Sequence, residues 1–244
     1  MDVKVGNGAF MKNLEDARQL AKTMVSIGCA HGKKTAALLT RMDTPLGQAV
    51  GNGLEVLEAL QVLKGGGADD LRRECLLLVA HLLKLAGMGT TLEECEEQAR
   101  QAIESKRALH KFYEMVEAQG GDISVLKDEK KFPRADYEKT VYAPQSGYIC
   151  SMDTEKIGTS AMLLGAGRQK KEDSIDSTAG LLVLKKTGDM VHKGEEIARL
   201  FASNRSLFSD AEELYLQALS FSENTPVRSP LILGCIEENE LEHY

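Results

Sequence analysis

MDVKVGNGAFMKN, residues 1–13, is the stretch that decides the fold class. A short apolar segment at residues 2–5 runs straight into a Gly-Asn-Gly turn, which is the pattern of a buried strand ending in a loop that approaches a ligand closely. Asn13 follows as a helix N-cap, and apolar residues then recur with helical spacing as far as Gly28. The stretch therefore predicts a strand, a loop and an amphipathic helix.

A second apolar run indicates how the opening strand is paired. TAALLT, residues 35–40, is short and nearly continuous, as in a parallel strand that is covered on both faces. Strand, loop, helix, loop and strand form one α/β unit, so we expect the two strands to pair. The rest of the first half supplies no further strand, which leaves this sheet incomplete.

The remaining pattern divides the chain near Lys127. Before this point, helices are predicted at about 48–63, 69–85, 92–104 and 109–118. The charged, proline-containing segment KDEKKFPRADYEK, which begins at Lys127, is typical of a linker. Beyond it short strands and turns dominate, and the remaining elements are helices at about 155–164 and 210–220 and a last strand at 231–236.

Composition argues against several classes of function. The net charge of −7 over 244 residues argues against a nucleic-acid partner, which would require a basic face. No apolar run is long enough to span a bilayer, so no membrane partner is expected. The cysteines show neither the spacing of a metal site nor a disulfide framework, which favours a reducing cytoplasm. They are Cys29, Cys75, Cys95, Cys150 and Cys235.

Two glycine motifs allow more than one interpretation. Gly6 and Gly8 do not begin a dinucleotide fingerprint, because Met11 stands where the third glycine is required. Their loop either contacts a ligand or only turns the chain. Gly51 and Gly53 lie inside a predicted helix at a cost of about 1 kcal/mol each, which indicates that another segment or a ligand packs against this backbone.

Few side chains in the sequence could carry chemistry. Glu55 and Glu58 lie on one side of a predicted helix and form either a solvated acidic face or, with freed backbone carbonyls, a hard-cation site. His81, on an apolar helix, is expected to be a satisfied core histidine. No histidine pairs with a nucleophile, so the residues predict no catalytic centre.

Three motifs resemble those of pyrimidine-nucleoside phosphorylases and thymidine phosphorylases. They are KVGNGAFM at 4–11, ALLTRMDTPLGQAVGNGLEVLEA at 37–59 and LLGAGRQKKEDSID at 163–176. The similarity runs through essentially the whole chain and corresponds to about the C-terminal half of the family's length. The resemblance therefore implies that the strands missing from the first sheet belong to the other half. It leaves the preference for uridine or thymidine open.

The resemblance also implies a fold. We expect an α/β protein, α+β overall, in which a partial mixed sheet flanked by helices precedes a smaller β-rich domain resembling a barrel-sandwich. Residues 1–126 would form the C-terminal part of the phosphorylase α/β domain, and residues 127–140 the linker. Residues 141–244 would form the pyrimidine-nucleoside phosphorylase C-terminal α+β domain.

An activity and a set of site residues follow from the same resemblance. Family members are cytoplasmic pentosyltransferases that convert a pyrimidine nucleoside and inorganic phosphate to the free base and (deoxy)ribose 1-phosphate, without an organic cofactor. Phe10 corresponds to a wall of the pyrimidine pocket, where an aromatic ring suits a planar base. Leu46 and Ala49, through their carbonyls, and Glu58, through its side chain, correspond to ligands of a monovalent cation, usually potassium.

The resemblance further implies that this chain lacks the main catalytic groups. In the family, the phosphate loop and the polar groups around the pyrimidine precede the KVGNGAFM motif, and homodimers form through a small α domain that the resemblance does not include in this chain. We therefore expect no catalytic residue here, no dimer of the usual kind and no activity in the chain alone.

Two other functions remain open at this point. LKKTGDMVHKGEEI resembles the closing hairpin of biotinyl carriers, although Lys185-Lys186 lacks the Met-Lys-Met setting of a modified lysine. The other is an interaction module, or a half-enzyme that needs a separately encoded N-terminal half, because an exposed half-sheet favours association.

Overall fold

The computed structural model describes residues 1–168, 170–227 and 229–237, together with the backbone of residues 240–242. Its strands are β1 (Asp2–Val5), β2 (Ala36–Arg41), β3 (Ala49–Gly51), β4 (Tyr137–Tyr142), β5 (Gly147–Met152), β6 (Gly180–Val183), β7 (Met190–Val191), β8 (Glu196–Ala202), β9 (Leu219–Ser222), β10 (Ile232–Glu237) and β11 (Glu240–Glu242). Its helices are α1 (Leu14–Ala30), α2 (Asn52–Leu63), α3 (Asp69–Leu85), α4 (Leu92–Glu104), α5 (Arg107–Ala118), α6 (Ile123–Lys127), α7 (Thr154–Ala161) and α8 (Phe208–Gln217). None of the described helices combines the length and the apolar character needed to cross a membrane.

The first sheet is mixed and has the strand order β1-β2-β10-β11. β1 and β2 run parallel with Val3 opposite Leu39, which confirms the predicted pairing. β10 is antiparallel to β2, and β11 is antiparallel to β10. The sheet that begins at residue 2 is therefore extended by strands from the far end of the chain, and local periodicity gives no signal for such a pairing.

Helices cover both faces of this sheet, as the continuous apolar pattern of β2 predicts. On one face, α1 buries Ala17 and Ala21 against β1 and β2. On the other face, α3 buries Leu77 against Leu38 of β2 and Cys235 of β10. The two apolar clusters fix the sheet between α1 and α3. The loops that follow β1 and β2 therefore start from well-packed strands.

Two further sheets surround the largest core of the protein. Their orders are β3-β6-β8-β4 and β7-β5-β9, and every pairing in them is antiparallel. With α7 and α8 they bury a continuous apolar cluster that includes Ile149, Leu200 and Tyr215. The predicted mixed α/β class is confirmed, and within the described ranges the strands do not close into a barrel.

The element predicted as one helix at 48–63 has two parts. Residues 49–51 form β3, and α2 begins only at Asn52. β3 pairs with β6, which places Gly51 opposite Gly180. The amide of Gly53 then donates to the carbonyl of Ser177 at 2.9 Å. The close packing that the interior glycines indicate is confirmed, and its partner is the segment 177–180.

The predicted division of the chain at 127–140 stays a prediction. Strands from the first 126 residues share sheets with strands from the last third, because β3 pairs with β6 and β2 with β10. The predicted linker also makes contacts, since Glu129 accepts hydrogen bonds from Gln61 and Lys64 of the α2 region. The predicted domain 141–244 includes residues that lie outside the described part, namely 169, 228, 238, 239, 243 and 244.

Candidate functional site

A turn at residues 42–49 connects β2 to β3, and hydrogen bonds to Glu58 fix its conformation. Gly47 adopts a φ of +68°, a conformation that side-chain-bearing residues rarely take. The carboxylate of Glu58, on α2, accepts hydrogen bonds from the amide of Gln48 at 2.6 Å and the amide of Ala49 at 3.1 Å. Charge-assisted bonds of this kind fix the turn against the helix.

The turn forms one wall of a cavity of about 510 Å³. Leu46, Ala49 and Glu58, the three predicted cation ligands, all line this cavity. Residues that follow β1 and β2 also line it, so it lies beyond the carboxyl ends of two parallel strands, where open α/β sheets bind their ligands. A wider cavity of about 760 Å³ adjoins it and shares Glu55 and Ala59. A cation bound here stays a prediction.

The loop after β1 joins the turn to the start of α7. The backbone amide of Asn7 donates to the carboxylate of Asp43 at 2.9 Å. The side-chain oxygen of Asn7 accepts from the amide of Glu155 at 3.0 Å. A Cβ atom on Gly8 would lie only 2.4 Å from Cγ2 of Thr154. The glycines in KVGNGAFM are therefore explained by close packing against the neighbouring segments.

Phe10 lies apart from both cavities. Its side chain is 93% exposed, and it is not one of the residues that line either cavity. A fully exposed aromatic ring gains no hydrophobic stabilisation within this chain. The assignment of Phe10 to a pyrimidine pocket stays a prediction.

A charged group centred on Lys4 reaches the cavity from β1. The ammonium of Lys4 contacts Glu74 of α3 and lies 2.9 Å from the carboxylate of Asp2. Burial lowers the pKa of Lys4, but its hydrogen bonds to both carboxylates outweigh that effect and raise the pKa. For Glu74, whose side chain is 2% exposed, burial has the opposite effect and raises the pKa. The hydrogen bond and charge of Lys4 lower that pKa, but they offset the effect of burial only in part. Sequence reasoning missed this group, because no local spacing links β1 to α3.

Lys186 ties the C-terminal region to the same turn. Its ammonium donates to the carbonyl of Pro45 at 2.8 Å and to the carboxylate of Asp70 at 2.5 Å. The neighbouring Lys185 pairs with Glu195 at 2.6 Å. Both lysines of the predicted carrier-like hairpin therefore serve as internal anchors.

Replacing Lys186 with Met should destabilise the protein more than the same change at Lys185. Lys186→Met leaves the half-buried carboxylate of Asp70 and the Pro45 carbonyl without this donor, which should cost about 1–2 kcal/mol. Lys185→Met removes a more exposed ion pair, worth at most about 1 kcal/mol. Urea unfolding of the two variants measures the difference, and equal effects would contradict the anchoring role of Lys186.

Comparison with known proteins relates these segments to other chains. Residues 1–109 match the α/β domain of the glycosyl transferase family, and residues 148–222 match the pyrimidine nucleoside phosphorylase C-terminal domain. A pyrimidine-nucleoside phosphorylase of Geobacillus stearothermophilus is 43% identical over 233 residues, which is 96% of this chain and 53% of that protein. The corresponding protein of Bacillus subtilis (strain 168) is 42% identical over 215 residues, covering 88% of this chain and 50% of its own length.

The chain belongs to the pyrimidine-nucleoside phosphorylase family. It spans about half the length of the curated relatives that it matches. The 510 Å³ cavity draws on both matched segments, since Glu58 lies in the first and Glu155 and Gly158 lie in the second. The candidate site is thus formed where the two segments of the family meet.

Proposed function

We propose that this chain is the C-terminal portion of a pyrimidine-nucleoside phosphorylase. The proposed reaction takes a pyrimidine nucleoside and inorganic phosphate to the free base and (deoxy)ribose 1-phosphate. The observation that carries the proposal is the placing of Leu46, Ala49 and Glu58 around one cavity at the carboxyl ends of β1 and β2. The similarity to phosphorylases along 96% of the chain supports the same reaction.

The proposed role of the cavity is to hold a monovalent cation, potassium, beside the segment that binds phosphate. The carboxylate of Glu58 supplies one negative charge, which matches a single positive charge, and the carbonyls of Leu46 and Ala49 add neutral oxygen ligands. An ion held in this way would orient its remaining ligands, which belong to the rest of the enzyme. It would also stabilise negative charge on the phosphate, and preorganised electrostatics of this kind is a large term in catalysis.

Phe10 has a proposed role in binding the base. Its exposed ring offers a flat apolar surface, and covering that surface with a pyrimidine would stabilise the complex. Inorganic phosphate and a pyrimidine nucleoside are the proposed partners, in a cytoplasmic enzyme without an organic cofactor. Nucleic acid and membranes are not proposed as partners.

The proposal also holds that residues 1–244 are inactive by themselves. The resemblance assigns the phosphate loop and the polar groups around the base to the part of the family's chain that precedes residue 4. Alternatively, the chain is a half-enzyme that becomes active when a separate N-terminal half binds to it. The mixing experiment below distinguishes these two cases. The carrier alternative is weakened because Lys185 and Lys186 are held in ion pairs.

Phosphorolysis of uridine and thymidine, followed by absorbance with phosphate and potassium present, tests the proposal. The three samples are the chain alone, the chain mixed with the N-terminal half of the Geobacillus stearothermophilus relative, and a chimera. In the chimera, residues 1–244 replace the matching half of that relative. We expect no turnover from the chain alone and phosphate-dependent turnover from the chimera. A folded but inactive chimera would contradict the proposal, while turnover in the mixture would identify a half-enzyme.

A further inference from the structure

Three different metal-binding side chains converge between α3 and β10. Among the described residues, Nδ1 of His81, Sγ of Cys235 and a carboxylate oxygen of Glu237 all lie within 4.8 Å of one another. Nδ1 of His81 is 3.2 Å from Oε1 of Glu237 and 3.9 Å from Sγ of Cys235. Cys235 and Glu237 are two residues apart on one strand, so their side chains leave the same face of the sheet toward the helix.

We propose that His81, Cys235 and Glu237 form a binding site for a transition-metal ion, with zinc as the best match. Imidazole, thiolate and carboxylate are the three side-chain ligands of tetrahedral zinc. Zinc bonds of about 2.0–2.3 Å in a tetrahedron separate neighbouring ligand atoms by roughly 3.3–3.6 Å. Two of the three separations, 3.2 and 3.9 Å, bracket this range, and the third is within 4.8 Å, so side-chain adjustment without backbone movement could bring the three atoms to one ion.

The surroundings suit a metal ligand set. Cys235 is fully buried and His81 is 3% exposed, which holds both side chains in place. Glu237 is 21% exposed, so the cluster lies at the border between the core and solvent. The ammonium of Lys84 lies 3.4 Å from Oε2 of Glu237 and orients that carboxylate with Oε1 on the side of His81. Outer contacts of this kind typically fix the direction of a metal-binding carboxylate.

A bound metal would join two distant parts of the chain. His81 belongs to a helix in the segment that matches the α/β domain, while Cys235 and Glu237 belong to a strand near the other end. The metal would therefore stabilise the pairing of β10 with β2, and its binding energy would add to folding stability. This site is separate from the proposed potassium site in its residues and in its ligand chemistry.

Metal binding is tested on the full purified chain, first freed of metal with a chelator and then titrated with Zn²⁺ or Co²⁺ alone. We expect one ion per chain, a rise in melting temperature with zinc, and a thiolate-to-cobalt charge-transfer band with Co²⁺. Cys235→Ala should abolish that band, whereas Cys95→Ala, which removes a buried thiol outside the cluster, should leave it unchanged. Because the band requires a thiolate, it distinguishes a metal site from a simple His81–Glu237 ion pair.

Glu237→Gln keeps the shape of a partly exposed side chain, so it tests the site without threatening the fold. We expect this change to weaken zinc binding by at least about tenfold, because loss of even an outer group that supports a ligand costs that much and Glu237 is itself a proposed ligand. Absence of zinc binding in the wild-type chain would overturn the proposal. A cobalt band that survives in Cys235→Ala, or zinc affinity that Glu237→Gln leaves unchanged, would overturn it as well.

Discussion

Gly180→Ala is expected to lower the free energy of unfolding by about 2–4 kcal/mol, through backbone strain and overpacking. Gly180 lies opposite Gly51 where β6 pairs with β3, and its φ is +145°, outside the range that side-chain-bearing residues favour. A Cβ atom added there would lie 2.4 Å from the carbonyl oxygen of Val50. That oxygen belongs to the backbone, so only movement of a strand can relieve the clash. Urea unfolding monitored by circular dichroism measures the loss.

Gly158→Ala is the matched control for this prediction. Gly158 lies inside α7, and nothing approaches within 4 Å of the position that its Cβ would occupy. Alanine at this position should raise stability by up to about 1 kcal/mol, because glycine disfavours a helix interior. If both substitutions changed the unfolding free energy by less than about 0.5 kcal/mol, the close approach of β3 and β6 would be contradicted.

Glu74→Ala is expected to cost about 2–4 kcal/mol, because removing one partner of a buried ion pair leaves the other charge poorly compensated. Among the described residues, Lys4 would retain only Asp2 as an acidic partner within contact distance. Glu74→Gln keeps the volume and an oxygen acceptor and resembles the protonated side chain, which burial favours, so near neutral pH it should cost little. Thermal and urea unfolding of the two variants separate the effect of the lost charge from that of the lost volume.

The pH dependence of stability gives a second test of the same group. The pKa of Glu74 is raised by burial, so its folded-state pKa exceeds its unfolded value of about 4.5. Its contribution to stability is fully present below the unfolded pKa and is lost as pH rises through the folded pKa. The stability advantage of wild type over Glu74→Gln should therefore shrink as pH rises from 4 toward neutrality. An advantage that grows over this interval would mean that the attraction of Lys4 outweighs burial.

Local signals in the sequence were enough to place most helices. α3 and α4 occupy the residues predicted for them, because acidic residues begin the first and a capping box of Thr91 and Glu94 begins the second. The three residues of β3 carry no local strand signal and become a strand only by pairing with β6. The pairing of β10 with β2 likewise depends on long-range contacts, so no local pattern predicts it.

In the candidate site, too, residues close together in sequence are predictable and contacts between distant residues are not. One motif contains all three predicted cation ligands, Leu46, Ala49 and Glu58, so the resemblance alone predicts them. In the fold they line one cavity. The Lys4–Glu74 and Lys186–Asp70 contacts join residues far apart in sequence, so nothing in the spacing identified them. His81, expected to be a core histidine, is buried as predicted, but its neighbours Cys235 and Glu237 come from a strand that only the fold brings to α3.

The potassium dependence of phosphorolysis in the chimera tests most directly whether this chain's own residues take part in the reaction. The rate with saturating phosphate and uridine is measured against potassium concentration for the unmodified chimera, Glu58→Gln and Glu93→Gln. Glu93 is an exposed glutamate on α4 and controls for the loss of one surface charge. We expect Glu58→Gln to raise the half-saturating potassium concentration by at least about tenfold, because a carboxylate in contact with the ion is lost. Unchanged potassium dependence in Glu58→Gln would contradict the assignment of this cavity to the reaction.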